Sequence, residues 1–179
     1  MQGDRMNFFN DLTVSVRDIS DNDKILDLME TYGTKCSFKA KELFSVPGDS
    51  MDNIYYIASG KTRHYIYNVD GSIKILYFLD TGCFFGEGPC YLNEPTGLYS
   101  QAETNLVAYK LPDTECRRLI DENSVFRNRL IECMSLKIIS LRYEVENLTF
   151  NTCKYRLQRL FCSSIDLEDK EDGEWCNMK

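Results

Sequence analysis

The sequence predicts a mainly β domain with added helices: a β-roll or jelly roll followed by one long helix. Three features predict it. Between Thr34 and Leu79 short runs of β-branched and aromatic residues are divided by Pro47-Gly48, Ser59-Gly60 and Asp70-Gly71, the even spacing that successive antiparallel strands need. From Gly82 to Glu103 glycines, prolines and aromatics crowd between two strand patterns, an arrangement suited to a ligand-facing insertion. From Val125 to about Asn151 a helical pattern runs without Pro or Gly. The 179 residues suffice for one well-buried domain plus an attached element.

Taken in order, the chain divides into four parts. Residues 1–33 form an N-terminal segment in which Phe8, Phe9, Leu12 and Val14 are anchors. Ser20-Asp21-Asn22-Asp23 offers an N-cap for a short helix through Tyr32, with Ile25, Leu26, Leu28 and Met29 inward and Gly33 as the stop. Residues 34–111 form the roll, with strands at Lys35–Phe38, Glu42–Val46, Asn53–Ala58, Thr62–Val69, Ser72–Leu79 and Asn105–Leu111. Asp70-Gly71 reads as a tight primed hairpin turn with positive φ at both central residues. Residues 112–151 hold a short helix opened by Pro112, then the long helix with Ser124 as its N-cap. Met134, Ile138, Leu141, Val145 and Leu148 recur at alternating spacings of four and three, a coiled-coil seam that predicts a homodimer. A second line, Leu130, Cys133, Leu136-Lys137 and Ile139, is expected to meet the roll. Residues 152–179 begin a C-terminal region, with a further helical pattern to Phe161 and an acidic turn at 166–174.

Phe85-Gly86-Glu87, followed after a short helical turn by Gln101-Ala102-Glu103-Thr104 and the strand from Asn105, resembles the phosphate-binding cassette of the Crp/Fnr superfamily of transcription regulators. The resemblance implies a double-stranded β-roll with the cyclic nucleotide-binding-domain fold, followed by a long dimerisation helix. In relatives that bind cyclic AMP the cassette Glu holds the ribose and an Arg near the cassette's end holds the phosphate. Glu87 matches the first. No Arg or Lys lies between Gly82 and Gln101, so a cyclic phosphate would lose its charge-assisted partner. Asn68 to Tyr77 is most similar to the regulators that sense halogenated phenols and control reductive dehalogenation. That likeness implies an aromatic effector between roll and helix, bound by Tyr77, Phe85, Gly86, Glu87, Gly88, Tyr91, Thr96, Gly97, Leu98 and Tyr99. Lys137 stands at the matching helix position, either near an anionic ligand or as a surface lysine on the flank of the seam. Freed of a ribose, Glu87 is expected to accept bonds from its own loop or to turn neutral beside an apolar ligand.

Composition bounds the alternatives. A net charge of −7 argues against nucleic acid binding by these residues, so DNA contact is expected only from a C-terminal helix-turn-helix domain outside this chain. No apolar run is long enough to span a membrane and Met1 to Asn10 lacks a signal core, which predicts a cytoplasmic protein. The eight cysteines, 36, 83, 90, 116, 133, 153, 162 and 176, form no C-x-x-C pair and read as buried small hydrophobes or free thiols, and no cofactor is expected. The single histidine, His64, is expected to be a half-exposed strand residue, too little for a metal site or for a cupin-like enzyme, which needs several converging ligands. A regulatory sensor domain is the leading reading, a true cyclic-nucleotide domain the alternative, and an enzyme the least supported.

Overall fold

The computed structural model of the protein describes residues 12–16, 20–150 and 152. The anchors Phe8 and Phe9, the helical pattern after Thr152 and the acidic turn at 166–174 lie outside the described residues. Two sheets face each other. One runs β1 (Thr13–Val14), β6 (Ile73–Leu79), β5 (Thr62–Tyr67), β8 (Tyr99–Ala102), β3 (Leu43–Ser45); the other runs β2 (Thr34–Phe38), β9 (Leu106–Pro112), β4 (Asn53–Ser59), β7 (Phe84–Phe85). The helices are α1 (Asn22–Tyr32), α2 (Glu87–Leu92), α3 (Asp113–Glu122) and α4 (Ser124–Phe150).

The period-two pattern becomes alternating burial, with both faces covered where Tyr56-Ile57 and Ala108-Tyr109 are adjacent. In β4 Ile54, Tyr56 and Ile57 are buried, and in β9 Leu106, Ala108, Tyr109 and Leu111 are buried. Each fully buried side chain of this size stabilises by roughly 1.5–3 kcal/mol. Helix α1 adds Ile25 and Met29, and α4 adds Phe126, Leu130, Cys133 and Leu136, so the first half of the long helix closes the roll as its second apolar line predicts. The other line stays outside: Met134, Ile138, Val145 and Leu148 are exposed, and Leu141 is half-buried.

Three local expectations differ. The β5–β6 connection is not a two-residue primed turn: Tyr67 pairs with Ile73, and of the expected central pair only Gly71 has positive φ. Residues 68–72 form a longer loop in which the Asn68 N–H donates to the Ser72 carbonyl at 2.8 Å and the Asp70 carboxylate accepts from the Ser72 N–H, also at 2.8 Å. This backbone bond and the Asx-type bond of Asp70 supply the turn that the dipeptide alone does not. The cap of α4 is Asn123, not Ser124, since its Oδ1 accepts from the Phe126 N–H at 3.0 Å. Strand β8, Tyr99–Ala102, lies inside the Gly82–Glu103 stretch, where the sequence pattern places no strand.

Candidate functional site

The cassette is built on Gly86. With φ at +84° it turns the chain from β7 into α2, and a Cβ there would lie 2.7 Å from Met51 Cε and 3.2 Å from the Asn53 carbonyl. Only glycine fits that backbone without strain. The turn places Glu87 in the first turn of α2, and the chain after α2 is pinned back to the roll through Thr96, whose N–H donates to the Asp49 carbonyl and whose carbonyl accepts from the Gly48 N–H.

A cavity of about 140 Å³ opens beside this turn. Tyr77, Phe85, Gly86, Glu87, Gly88, Thr96 and Leu98 line it, seven of the residues that the sequence singles out. The rest of the expected wall does not assemble. Tyr91 belongs to a separate apolar groove between α2, α3 and α4, of about 340 Å³, with Leu92, Ile131 and Met134 on its rim. Tyr99 alternates with cavity-lining Ser100 along β8 and stacks on Tyr65, ring centroids 5.3 Å apart. Gly97 lines neither.

Lys137 is not a surface residue. It is 6% exposed, and its Nζ donates to Glu87 Oε1 at 2.5 Å and to the Phe84 carbonyl at 2.7 Å. Burial works against its charge, but the Glu87 carboxylate and the Tyr77 hydroxyl outweigh that and hold the ammonium above the ordinary lysine range. Glu87 therefore finds its partner not in its own loop but in a lysine fifty residues on. The Lys137 ammonium also lies 5.9 Å from the Tyr77 ring centroid.

His64, which the sequence reads as a half-exposed strand residue outside any site, and Ser100 complete the cavity with Met51 and Pro89. Rather than half-exposed, His64 is 2% exposed, its Nε2 2.9 Å from Thr62 Oγ1 and its Nδ1 3.0 Å from Ser100 Oγ. Its ring packs near Tyr77 and Phe85, with centroids 5.1 and 5.6 Å away. Burial, and after it the nearby Lys137 charge, lowers its pKa from 6.5 to about 3, so the imidazole is neutral. Beside it the β5–β6 register shifts between His64 and Tyr65, an irregularity of the kind that re-aims side chains at binding sites. The site thus offers a small aromatic-walled space with no cation in its lining, whose one carboxylate, Glu87, is already paired with Lys137 and whose other side-chain polar groups are hydroxyls and a neutral ring.

Residues 35–123 match the family model of the cyclic nucleotide-binding domain. No curated protein sequence matches the chain. Among solved structures, the c-di-GMP responsive global regulator CLP of Xanthomonas campestris is 14% identical and aligns over 84% of this chain and 76% of its own, with a TM-score of 0.71. CprK in complex with o-chlorophenolacetic acid is 19% identical over 80% of this chain and 61% of its own, with a TM-score of 0.59. A mutant of CooA from Carboxydothermus hydrogenoformans is 15% identical over 79% of this chain and 90% of its own, with a TM-score of 0.61. The architecture is the cyclic nucleotide-binding fold followed by a long helix, as in Crp/Fnr effector domains. Among the described residues no helix is long and apolar enough to cross a membrane.

Proposed function

We propose that this cyclic nucleotide-binding domain is the small-molecule-sensing part of a Crp/Fnr-type transcriptional regulator, whose effector is not a cyclic nucleotide but a small aromatic compound of the halophenol kind. The observation that carries the reading is the pairing of cavity-lining Glu87 with Lys137, which comes from the long helix and does not itself line the cavity. The cassette itself has no cation for a phosphate, and its Glu87, the carboxylate that a ribose would otherwise occupy, is paired with a cation from the long helix. A space of about 140 Å³ lies well below the roughly 300 Å³ at which pockets for drug-sized ligands begin, so a single substituted ring is the scale that fits.

An ionised phenol would take Lys137 from Glu87, and because the two residues sit on α4 and α2, the exchange moves cassette and long helix relative to each other. The exposed seam of Met134, Ile138, Val145 and Leu148, with half-buried Leu141 between them, then passes the change to a second copy of the chain. DNA contact falls to a C-terminal domain of the full regulator. The competing reading, a cyclic-nucleotide sensor, draws on the family match and on the position of Glu87 in the first turn of α2.

Thermal shift with cyclic AMP and with a panel of chlorinated phenols separates the two. The expected result is stabilisation by an acidic chlorophenol, weaker below the phenol's own pKa and lost in Lys137→Met. Stabilisation by cyclic AMP with a Kd of about ten micromolar or tighter, about 7 kcal/mol of binding free energy, overturns the reading.

A further inference from the structure

We propose that the apolar groove between α2, α3 and α4 is a second small-molecule site, which takes an apolar monocarboxylate with its carboxylate on Arg127 and its tail against Leu92, Ile131 and Met134. The site is separate from the cassette cavity and does not depend on what that cavity binds. The groove measures about 340 Å³, within the roughly 300–1,000 Å³ of pockets that hold small ligands. Its walls hold apolar side chains that are left in water: Tyr91 is 56% exposed, Leu92 65%, Ile131 55% and Met134 41%. Contiguous apolar surface of this kind marks a binding site. One wall is fixed in advance, since Arg117 Nη2 donates to the Tyr91 carbonyl at 3.0 Å and its guanidinium lies 4.6 Å from the Tyr91 ring centroid.

Arg127 sets the charge of the occupant. It is the one cation in the lining, and its Nη1 donates to the Ile120 carbonyl at 2.7 Å and to the Asp121 carbonyl at 3.4 Å. Those bonds tie the guanidinium to the C-terminal end of α3 by a single nitrogen. Nε and Nη2, the parallel donors that a carboxylate takes bidentately, have no protein partner among the described residues. No acid on α4 lies one turn away, for the residues three and four positions to either side are Asn123, Ser124, Leu130 and Ile131. The one acid in the lining, Glu87, is held by Lys137. A carboxylate ligand thus meets an anchored cation at one end and apolar side chains along the rest.

The same charge favours a ligand over a second copy of the chain as the occupant. Carried back from Met134, the three-four spacing of the seam reaches Ile131 and then Arg127. A parallel helix pair would set two guanidinium groups toward each other at that end, with no acid of α4 between them. A second copy alone leaves that charge uncompensated, and a carboxylate compensates it.

The test is calorimetric titration and thermal shift of the folded full chain with octanoate, below its micelle concentration, beside 1-octanol, which has the same tail and no charge. Octanoate is expected to bind about tenfold or more tightly than octanol, the scale of one charge-assisted contact, and to lose that advantage in Arg127→Met. Leu92→Glu, which adds an acid at an exposed rim position, should weaken octanoate by a similar factor and leave urea unfolding unchanged. Saturating 2,4-dichlorophenol should leave octanoate binding in place, whether or not the phenol itself binds in the cassette cavity. No binding of octanoate up to about 1 mM overturns the proposal. So does octanol binding as tightly as octanoate, an Arg127→Met protein that binds octanoate as well as the wild type, or displacement of octanoate by the phenol.

Discussion

His64 makes the stability of this domain depend on pH in a window where few other groups titrate. The ring is buried, neutral and within reach of the Lys137 charge, with a folded pKa of about 3 against 6.5 when free. The unfolded chain binds a proton between those values and the folded chain does not, so unfolding becomes easier as pH falls through 6.5, and the stability is fully present above it. The slope approaches about 1.4 kcal/mol per pH unit for one proton, and integrating from pH 7.5 to 5 gives a loss of about 2 kcal/mol. For a domain of this size that lowers Tm by about 4–8 °C. The assay is urea unfolding across that range for the wild type and for His64→Gln, whose amide keeps hydrogen bonding at Thr62 or Ser100 but does not titrate. Subtracting the variant removes the carboxylates, which both proteins share. Since the chain has one histidine, the difference belongs to His64. If wild type and variant lose stability in parallel from pH 7.5 to 5, the ring either becomes protonated in place or is reached by water, and the argument for a buried neutral ring falls with it.

The remaining predictions concern the same junction and the helix beyond it. Lys137→Met leaves Glu87 and the Phe84 carbonyl without their partner in a buried site, a loss of about 3–5 kcal/mol in chemical denaturation, and adding Glu87→Gln should recover much of it; a loss under 1 kcal/mol from Lys137→Met would mean that the pair contributes nothing net. Gly86→Ala should destabilise by about 1–3 kcal/mol through its positive φ and the approach to Met51 and the Asn53 carbonyl, whereas Gly88→Ala, with open space around its Cβ position, should cost less than about 1 kcal/mol; equal costs in urea melts would contradict the turn geometry. Ile138→Asp and Val145→Asp, at positions that are 65% and 63% exposed, should convert a dimer to monomers in sedimentation while leaving monomer unfolding unchanged; a wild type that sediments as a monomer at tens of micromolar refutes the seam.

What could be read from residues alone follows from the range of the forces involved. Strands β2 to β6 and β9, the stop of α1 at Gly33 and the two faces of α4 rest on local periodicity and capping, and they sit close to where the spacing puts them, whereas the short strands β1, β7 and β8 have no such signal. The cassette turn was legible because Gly86-Glu87 is a local constraint on backbone. His64 was not, because its partners Thr62 and Ser100 converge only once β5 pairs with β8, a register that no neighbouring residue announces. Tyr91 and Tyr99 carry the right chemistry for an aromatic wall and yet point elsewhere, since their direction depends on the phase of α2 and on the pleat of β8. Aromatic composition near a motif thus identifies a region, while membership of the cavity is decided by which face each side chain takes.

The same distinction changes the meaning of Lys137 and Glu87. Read singly, each is ambiguous: a lysine on a helix flank, a glutamate in a glycine-rich loop. Brought together at 2.5 Å with side chains 8% and 12% exposed, they neutralise each other in a place where neither would persist alone. A buried pair of this kind gains little net stability over a well-packed apolar pair, so it contributes chiefly by making α4 and α2 dependent on each other. A ligand that replaces one member need not supply much affinity to change the arrangement, because the two states differ by which anion the lysine holds rather than by whether it is neutralised. That is the property a sensor needs: a small ligand enters a small cavity and exchanges one contact, and the contact it exchanges joins the cassette to the helix whose other face carries the seam.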